Sequence, residues 1–123
     1  MEINKLQKNN SEEEIFEFED ISLGMDRCFQ IEMGEMITKG FVKTGISKNL
    51  MVFVRSGDHN PPHFHIISNQ RNIDQKFSIE SLENISTIKN HKYDAYIKKY
   101  FEMKINDLSK IKNKFFELNP LLN

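Results

Sequence analysis

Three of the four histidines in this chain fall within seven residues, inside the run Gly57-Asp58-His59-Asn60-Pro61-Pro62-His63-Phe64-His65. His63 and His65 are separated by one residue. On a strand, side chains alternate between faces, so both imidazoles leave the same face about 6.5–7 Å apart at the backbone. Rotation about their side-chain bonds can then aim two nitrogens at one atom. His59 lies four residues upstream across a loop, with Asp58 beside it. Three imidazoles, with Asp58 or the downstream Asp74 as an extra oxygen, make a nitrogen-rich donor set without sulfur. That set suits a divalent transition ion such as Zn, Fe, Mn, Ni or Cu, and the donors alone do not choose among them.

The same residues support three chemistries. In a metal-dependent hydrolase or nuclease, His59, His63 and His65 hold the ion, which lowers the pKa of a bound water. Asp58 then orients a histidine or serves as base, and Arg55 or Arg71 stabilises a phosphate. In a metal-free ribonuclease of the toxin type, His63 and His65 act as catalytic acid and base near neutral pH. Lys76 or Arg71 then neutralises the phosphate. In a non-enzymatic adaptor, Asn60-Pro61-Pro62 is a tight turn, and the histidines hydrogen-bond its backbone.

The loop that must position these groups is stiff. Pro61 and Pro62 fix their own φ and supply no N–H. Each also drives the residue before it toward extended backbone. Gly57 permits a turn at a φ other residues avoid. Little entropy is therefore lost when the loop is held in one shape.

On either side of the loop the hydrophobic pattern reads as strand. Residues 50–54 are a continuous apolar run, as expected of a buried central strand. Phe64, Ile66 and Ser68 alternate with His63, His65 and Ile67. Residues 69–72 read as a polar turn. Ile73, Gln75, Phe77 and Ile79 alternate with polar partners in the manner of a half-buried antiparallel strand. Residues 84–88 suggest a last short strand. Upstream, Ser11 with Glu14 could open a helix, in competition with a strand over residues 15–19. Residues 29–33 alternate like a strand, and residues 36–43 read as another. The period then becomes helical: Tyr93, Tyr96, Ile97, Tyr100 and Phe101 form one stripe, and Ile105, Leu108, Ile111, Phe115 and Leu118 a second. Asn106 is placed to cap the second helix. Two helices or one kinked helix fit equally. The tyrosines sit at core spacing, so they read as helix–sheet contacts and not as a base-stacking platform. Strands followed by helices imply an α+β fold: an antiparallel β-meander packed against one or two C-terminal helices.

A length of 123 residues implies one domain, with residues 1–10 flexible. No apolar run reaches the roughly 18 residues that span a membrane. The first residues lack the basic and apolar regions of a signal peptide. Cys28 is the single cysteine, which excludes an internal disulfide and a zinc site built on several thiolates. A cytoplasmic setting is expected. Residues 1–36 carry ten acidic and three basic side chains, whereas residues 89–123 carry eight lysines and four acidic groups. An acidic head over a basic face could meet nucleic acid, but no arginine-rich stripe supports this, and a solvated surface is the simpler reading.

Two known signatures fail. Gly57 followed by His63-x-His65 has the opening spacing of a cupin metal motif, but Asn69 and Gln70 stand where its carboxylate belongs. His63-x-His65 also opens like a histidine-triad nucleotide hydrolase, but Ile67 occupies the position of its nucleophile. A closer resemblance covers roughly residues 48–118. With residues 50–55 before it, Asp58-His59-x-Pro61-Pro62-His63-x-His65 resembles the signature of DUF4160, a family of small bacterial proteins of unknown function. The strand after the motif is only partly like the family pattern. The resemblance implies that Asp58, His59, His63 and His65 are the positions that matter. It also implies a small protein partner, in a two-protein, toxin–antitoxin-like bacterial module.

Overall fold

The computed structural model describes residues 13–34 and 49–122. Four strands, β1 (Ile15–Glu17), β2 (Met51–Arg55), β3 (His63–Ser68) and β4 (Ile73–Ser78), form one antiparallel sheet in sequential order. Helix α1 (Glu19–Met33) lies between β1 and β2, and helices α2 (Asp94–Met103) and α3 (Ile105–Leu118) follow the sheet. The α+β class is therefore observed, with both C-terminal helices present.

Pairing in the sheet divides the side chains cleanly. Phe53 opposes His65, which opposes Lys76, while Val52 opposes Ile66, which opposes Gln75. Since alternate residues point to opposite faces, Val52, Val54, Phe64, Ile66 and Phe77 share one face. All five are completely buried. They join a core with Ile21, Met25 and Phe29 of α1, Ile97 and Phe101 of α2, and Ile111 and Phe115 of α3. The other face carries Phe53, Arg55, His63, His65 and Lys76. Strand β3 is thus hydrophobic toward the helices and imidazole-bearing on its reverse.

Residues 29–33 are helical, not a strand. Ile21, Met25 and Phe29 are buried at four-residue intervals, while Ile31 is exposed. Two buried polar residues, Ser22 and Asp26, interrupt the stripe in the sequence. Each is satisfied in the fold: Ser22 Oγ donates to the Phe18 carbonyl (2.8 Å) and accepts the Val52 N–H (2.9 Å). Asp26 Oδ1 lies 2.7 Å from Arg71 Nη2. The helix ends at Gly34, which has φ +62°.

Of the two readings near the start, the strand is the one present, over Ile15–Glu17. Ser11 and the strand expected over residues 36–43 lie outside the described residues. The polar turn at 69–72 contains a 3₁₀ turn, Asn69–Arg71. The short strand expected over 84–88 reduces to a single bridge between Phe77 and Asn84. The chain breaks at Lys104 (φ −123°, ψ 59°), so α2 and α3 are separate helices. Asn106 does not cap α3: the helix already begins at Ile105, and no side chain caps it. Tyr93 and Tyr100 are buried, with Tyr93 stacked on Phe29 at 4.9 Å.

Candidate metal centre

The loop from β2 to β3 folds back over the start of β3. Gly57 takes φ +81°, in the left-handed region that favours glycine. The Asn60–Pro61 peptide is cis. Two backbone groups at the loop's beginning are held by the far end of the chain. Asn119 Oδ1 accepts the Gly57 N–H (2.8 Å), and its Nδ2 donates to the Arg55 carbonyl (3.0 Å). The loop's other end is fixed by the Ile79 N–H, which donates to the Pro62 carbonyl (3.0 Å).

This path delivers Asp58 to the two strand histidines. Asp58 Oδ2 lies 3.0 Å from His65 Nε2 and 3.2 Å from His63 Nε2. Its other oxygen, Oδ1, accepts from Arg55 Nε at 3.3 Å. The donor atoms of Asp58, His63 and His65 all lie within 4.8 Å of one another. Their side chains are only 9, 7 and 6 % exposed, so the cluster is nearly dry. His65 stacks flat on Phe53 (4.9 Å, 12°), and Phe115 of α3 approaches the His63 ring at 5.8 Å.

His63 fixes the chemistry of the cluster. Its Nδ1 lies 2.8 Å from the Pro61 carbonyl. A carbonyl can only accept, so Nδ1 donates to it, and Nε2 is left as the ring nitrogen turned toward Asp58. That Nε2 is buried and has no aligned hydrogen-bond partner, although a carboxylate oxygen stands 3.2 Å away. A lone pair facing an anion in a dry site is unfavourable unless a proton or a cation lies between them. Burial alone would raise the Asp58 carboxyl, but the pull of the His63 and His65 imidazoles outweighs it and holds the group well below the ordinary carboxylate range. Asp58 is therefore an anion, ready to act as an oxygen ligand.

The residues fit a metal ion. Two imidazole nitrogens and one carboxylate oxygen are a donor set shared by zinc and non-haem iron sites. Ligand atoms about 2.0–2.2 Å from a common ion stand roughly 3 Å apart, close to the separations between Asp58 Oδ2 and each imidazole. The His63 Nδ1–carbonyl bond is the outer-sphere contact that fixes the tautomer of a metal-binding histidine.

Not every residue marked by the sequence joins the cluster. His59 is exposed and stands outside it. Asp74 lines a cavity of about 270 Å³ next to His65, together with Arg55, Lys76, Ser86, Thr87 and Ile88. Arg71 is in a different place altogether. It is buried with Asp26, donates also to Ser68 Oγ (3.2 Å), and lies over the Phe29 ring. Three contributors had no signal in the motif: Phe53, Phe115 and Asn119. The position of Asn119 just before Pro120 marks a helix end, but nothing in its spacing points to residues 55–57.

Residues 49–112 match the family described as Domain of unknown function (DUF4160). No curated protein and no solved structure matches the chain. The matched stretch covers more than half of the sequence and contains Asp58, His63 and His65, whereas α1, Phe115 and Asn119 lie outside it. The chain belongs to the DUF4160 family.

Proposed function

We propose that this member of the DUF4160 family is a metal-binding protein, with Asp58, His63 and His65 holding one divalent transition ion of the class Zn, Fe, Mn or Ni. One observation carries the reading: Nε2 of the buried His63 and Nε2 of the buried His65 converge on one oxygen of Asp58, while His63 Nδ1 is turned to the Pro61 carbonyl. A bound ion of this class supplies an activated water and a Lewis acid for a phosphoryl or carbonyl oxygen, which is hydrolase or nuclease chemistry. The chain's own residues prepare the centre. Arg55 anchors the carboxylate of Asp58, Pro61 sets the His63 tautomer, and Phe53 and Phe115 keep water from the rings. The bacterial, two-protein setting is proposed from the family signature at residues 58–65, and the cytoplasmic one from the lone cysteine and the character of the first residues.

The test is metal analysis of the purified full-length chain, followed by titration of Zn, Mn, Fe and Ni into stripped protein. One equivalent should bind, and His63→Ala and Asp58→Ala should each weaken it by about 10–100-fold or more. Less than one equivalent of every metal, before and after reconstitution, overturns the reading.

A second reading has its own support. The 3.0 Å contact between Asp58 and His65 is a carboxylate–imidazole pair, an arrangement that orients a histidine for proton transfer without metal. RNA cleavage that survives chelator and disappears in His65→Ala would establish it. Failure of both tests leaves the turn as scaffold in a protein-binding adaptor.

A further inference from the structure

We propose that the cavity beside His65 is a phosphoryl-binding subsite, formed by Arg55, Lys76 and Thr87, and that the centre acts on a phosphate ester held there. The proposal rests on the metal reading and adds the class of substrate. Of the three cluster residues, only His65 lines this cavity, so the cavity adjoins the centre through that ring. Its volume of about 270 Å³ lies just under the range of roughly 300–1,000 Å³ that encloses whole small molecules. The space suits one charged group, with the remainder of the ligand outside.

The walls are built rather than incidental. Arg55, His65 and Lys76 project from neighbouring strands on one face of the sheet, with Lys76 directly opposite His65. Ser86, Thr87 and Ile88 form the far wall, on a segment pinned to β4 at Lys76. The Lys76 N–H donates to Ser86 Oγ (2.7 Å), and the Ile85 N–H donates to the Lys76 carbonyl (2.9 Å). Arg55 spends Nε on Asp58 and stands 3.9 Å from Glu13 through Nη1. Guanidinium has five donors in a fork matched to phosphate, so donors remain for an anion. Thr87 adds a hydroxyl on the exposed rim.

Charge decides what the cavity accepts. Without an ion, Arg55 and Lys76 face Asp58, Asp74 and Glu13, a local sum of one negative charge. A divalent ion at the centre tips this local sum to one positive charge, so anion affinity must rise with metal loading. A phosphoryl group, with several oxygens to share between Arg55, Lys76 and an ion, gains more than a carboxylate does.

The experiment is calorimetric titration of inorganic phosphate, dimethyl phosphate and acetate into the full chain, zinc-loaded and stripped, with Lys76→Met and Thr87→Val as variants. Phosphate should bind the zinc-loaded protein more tightly than the stripped protein, and Lys76→Met should weaken it roughly tenfold while leaving zinc affinity within about twofold. Dimethyl phosphate binding as well as phosphate identifies a diester, as in nucleic acid; phosphate alone identifies a monoester. Acetate binding as tightly as phosphate, or phosphate affinity indifferent to Lys76, overturns the subsite. If zinc does not bind, the metal reading falls by itself, and Lys76-dependent phosphate binding by the stripped protein still upholds or refutes the subsite.

Discussion

Arg71 offers the sharpest separation between a residue that looks functional in the sequence and one that holds the fold. Its Nη2 lies 2.7 Å from Asp26 Oδ1, and the two side chains are 2 and 1 % exposed. Replacing Arg71 by Met leaves Asp26 buried with, among the described residues, only the Gln30 amide, at 3.2 Å, as a side-chain partner. Breaking such a buried pair from one side costs about 3–5 kcal/mol, because one charge is stranded. Domains of this size are stable by only about 5–15 kcal/mol in total. With a urea dependence of about 1.5 kcal/mol per molar, the unfolding midpoint of Arg71→Met should fall by roughly 2–3 M. The double variant Asp26→Leu with Arg71→Met removes both charges, and it should recover most of the loss. Urea unfolding followed by circular dichroism measures all four corners of the cycle. Zinc and phosphate affinity of folded Arg71→Met should match the parent protein. A midpoint shift under about 0.5 M, or a coupling energy below about 1 kcal/mol, would refute the assignment. So would lost phosphate binding in a fully folded variant.

Three other perturbations probe the loop and the centre. The Asp58 carboxyl is depressed in the folded state below its ordinary value of 3.8, so the stability it contributes is complete above that value and is lost as pH falls through the folded one. Between about pH 5 and pH 2 the metal-free parent protein should therefore lose more stability than Asp58→Asn, as read from urea midpoints; equal losses contradict this. Gly57→Ala adds a side chain at φ +81° with nothing within 4 Å of it, so the penalty is backbone strain of about 1–2 kcal/mol, seen as a lowered melting temperature. Asn119→Ala strands the Gly57 N–H and the Arg55 carbonyl. It should cost about 1–3 kcal/mol and weaken zinc binding, and calorimetry showing unchanged zinc affinity would remove the tether from the account.

The meander was readable because β3 and β4 keep a two-residue period and β2 is a short, continuous apolar run. Phe64 and Ile66 alternating with His63 and His65 fixed both the strand and the sharing of one face by the imidazoles. Helix α1 was hidden for a physical reason: Ser22 and Asp26 occupy its buried stripe, and their partners, Val52 and Arg71, lie 30 and 45 residues away. Within the motif, Asp58 and the histidine pair could be foreseen as neighbours. His59 could not be separated from them by spacing, since only the actual path of the loop turns Asp58 inward and leaves His59 in solvent. Asn119 is a contact across 62 residues, which no local pattern encodes.

Strand β3 wears phenyl and sec-butyl groups toward the helices and imidazoles on its reverse. A slip of one position along its neighbours would turn every side chain over, driving His63 and His65 into the helix-covered core and taking Phe64 and Ile66 out of it. No mispaired chain can keep both a sound interior and an intact centre. Under the proposed metal reading, the fraction of a preparation that captures an ion is thus a count of correctly assembled molecules.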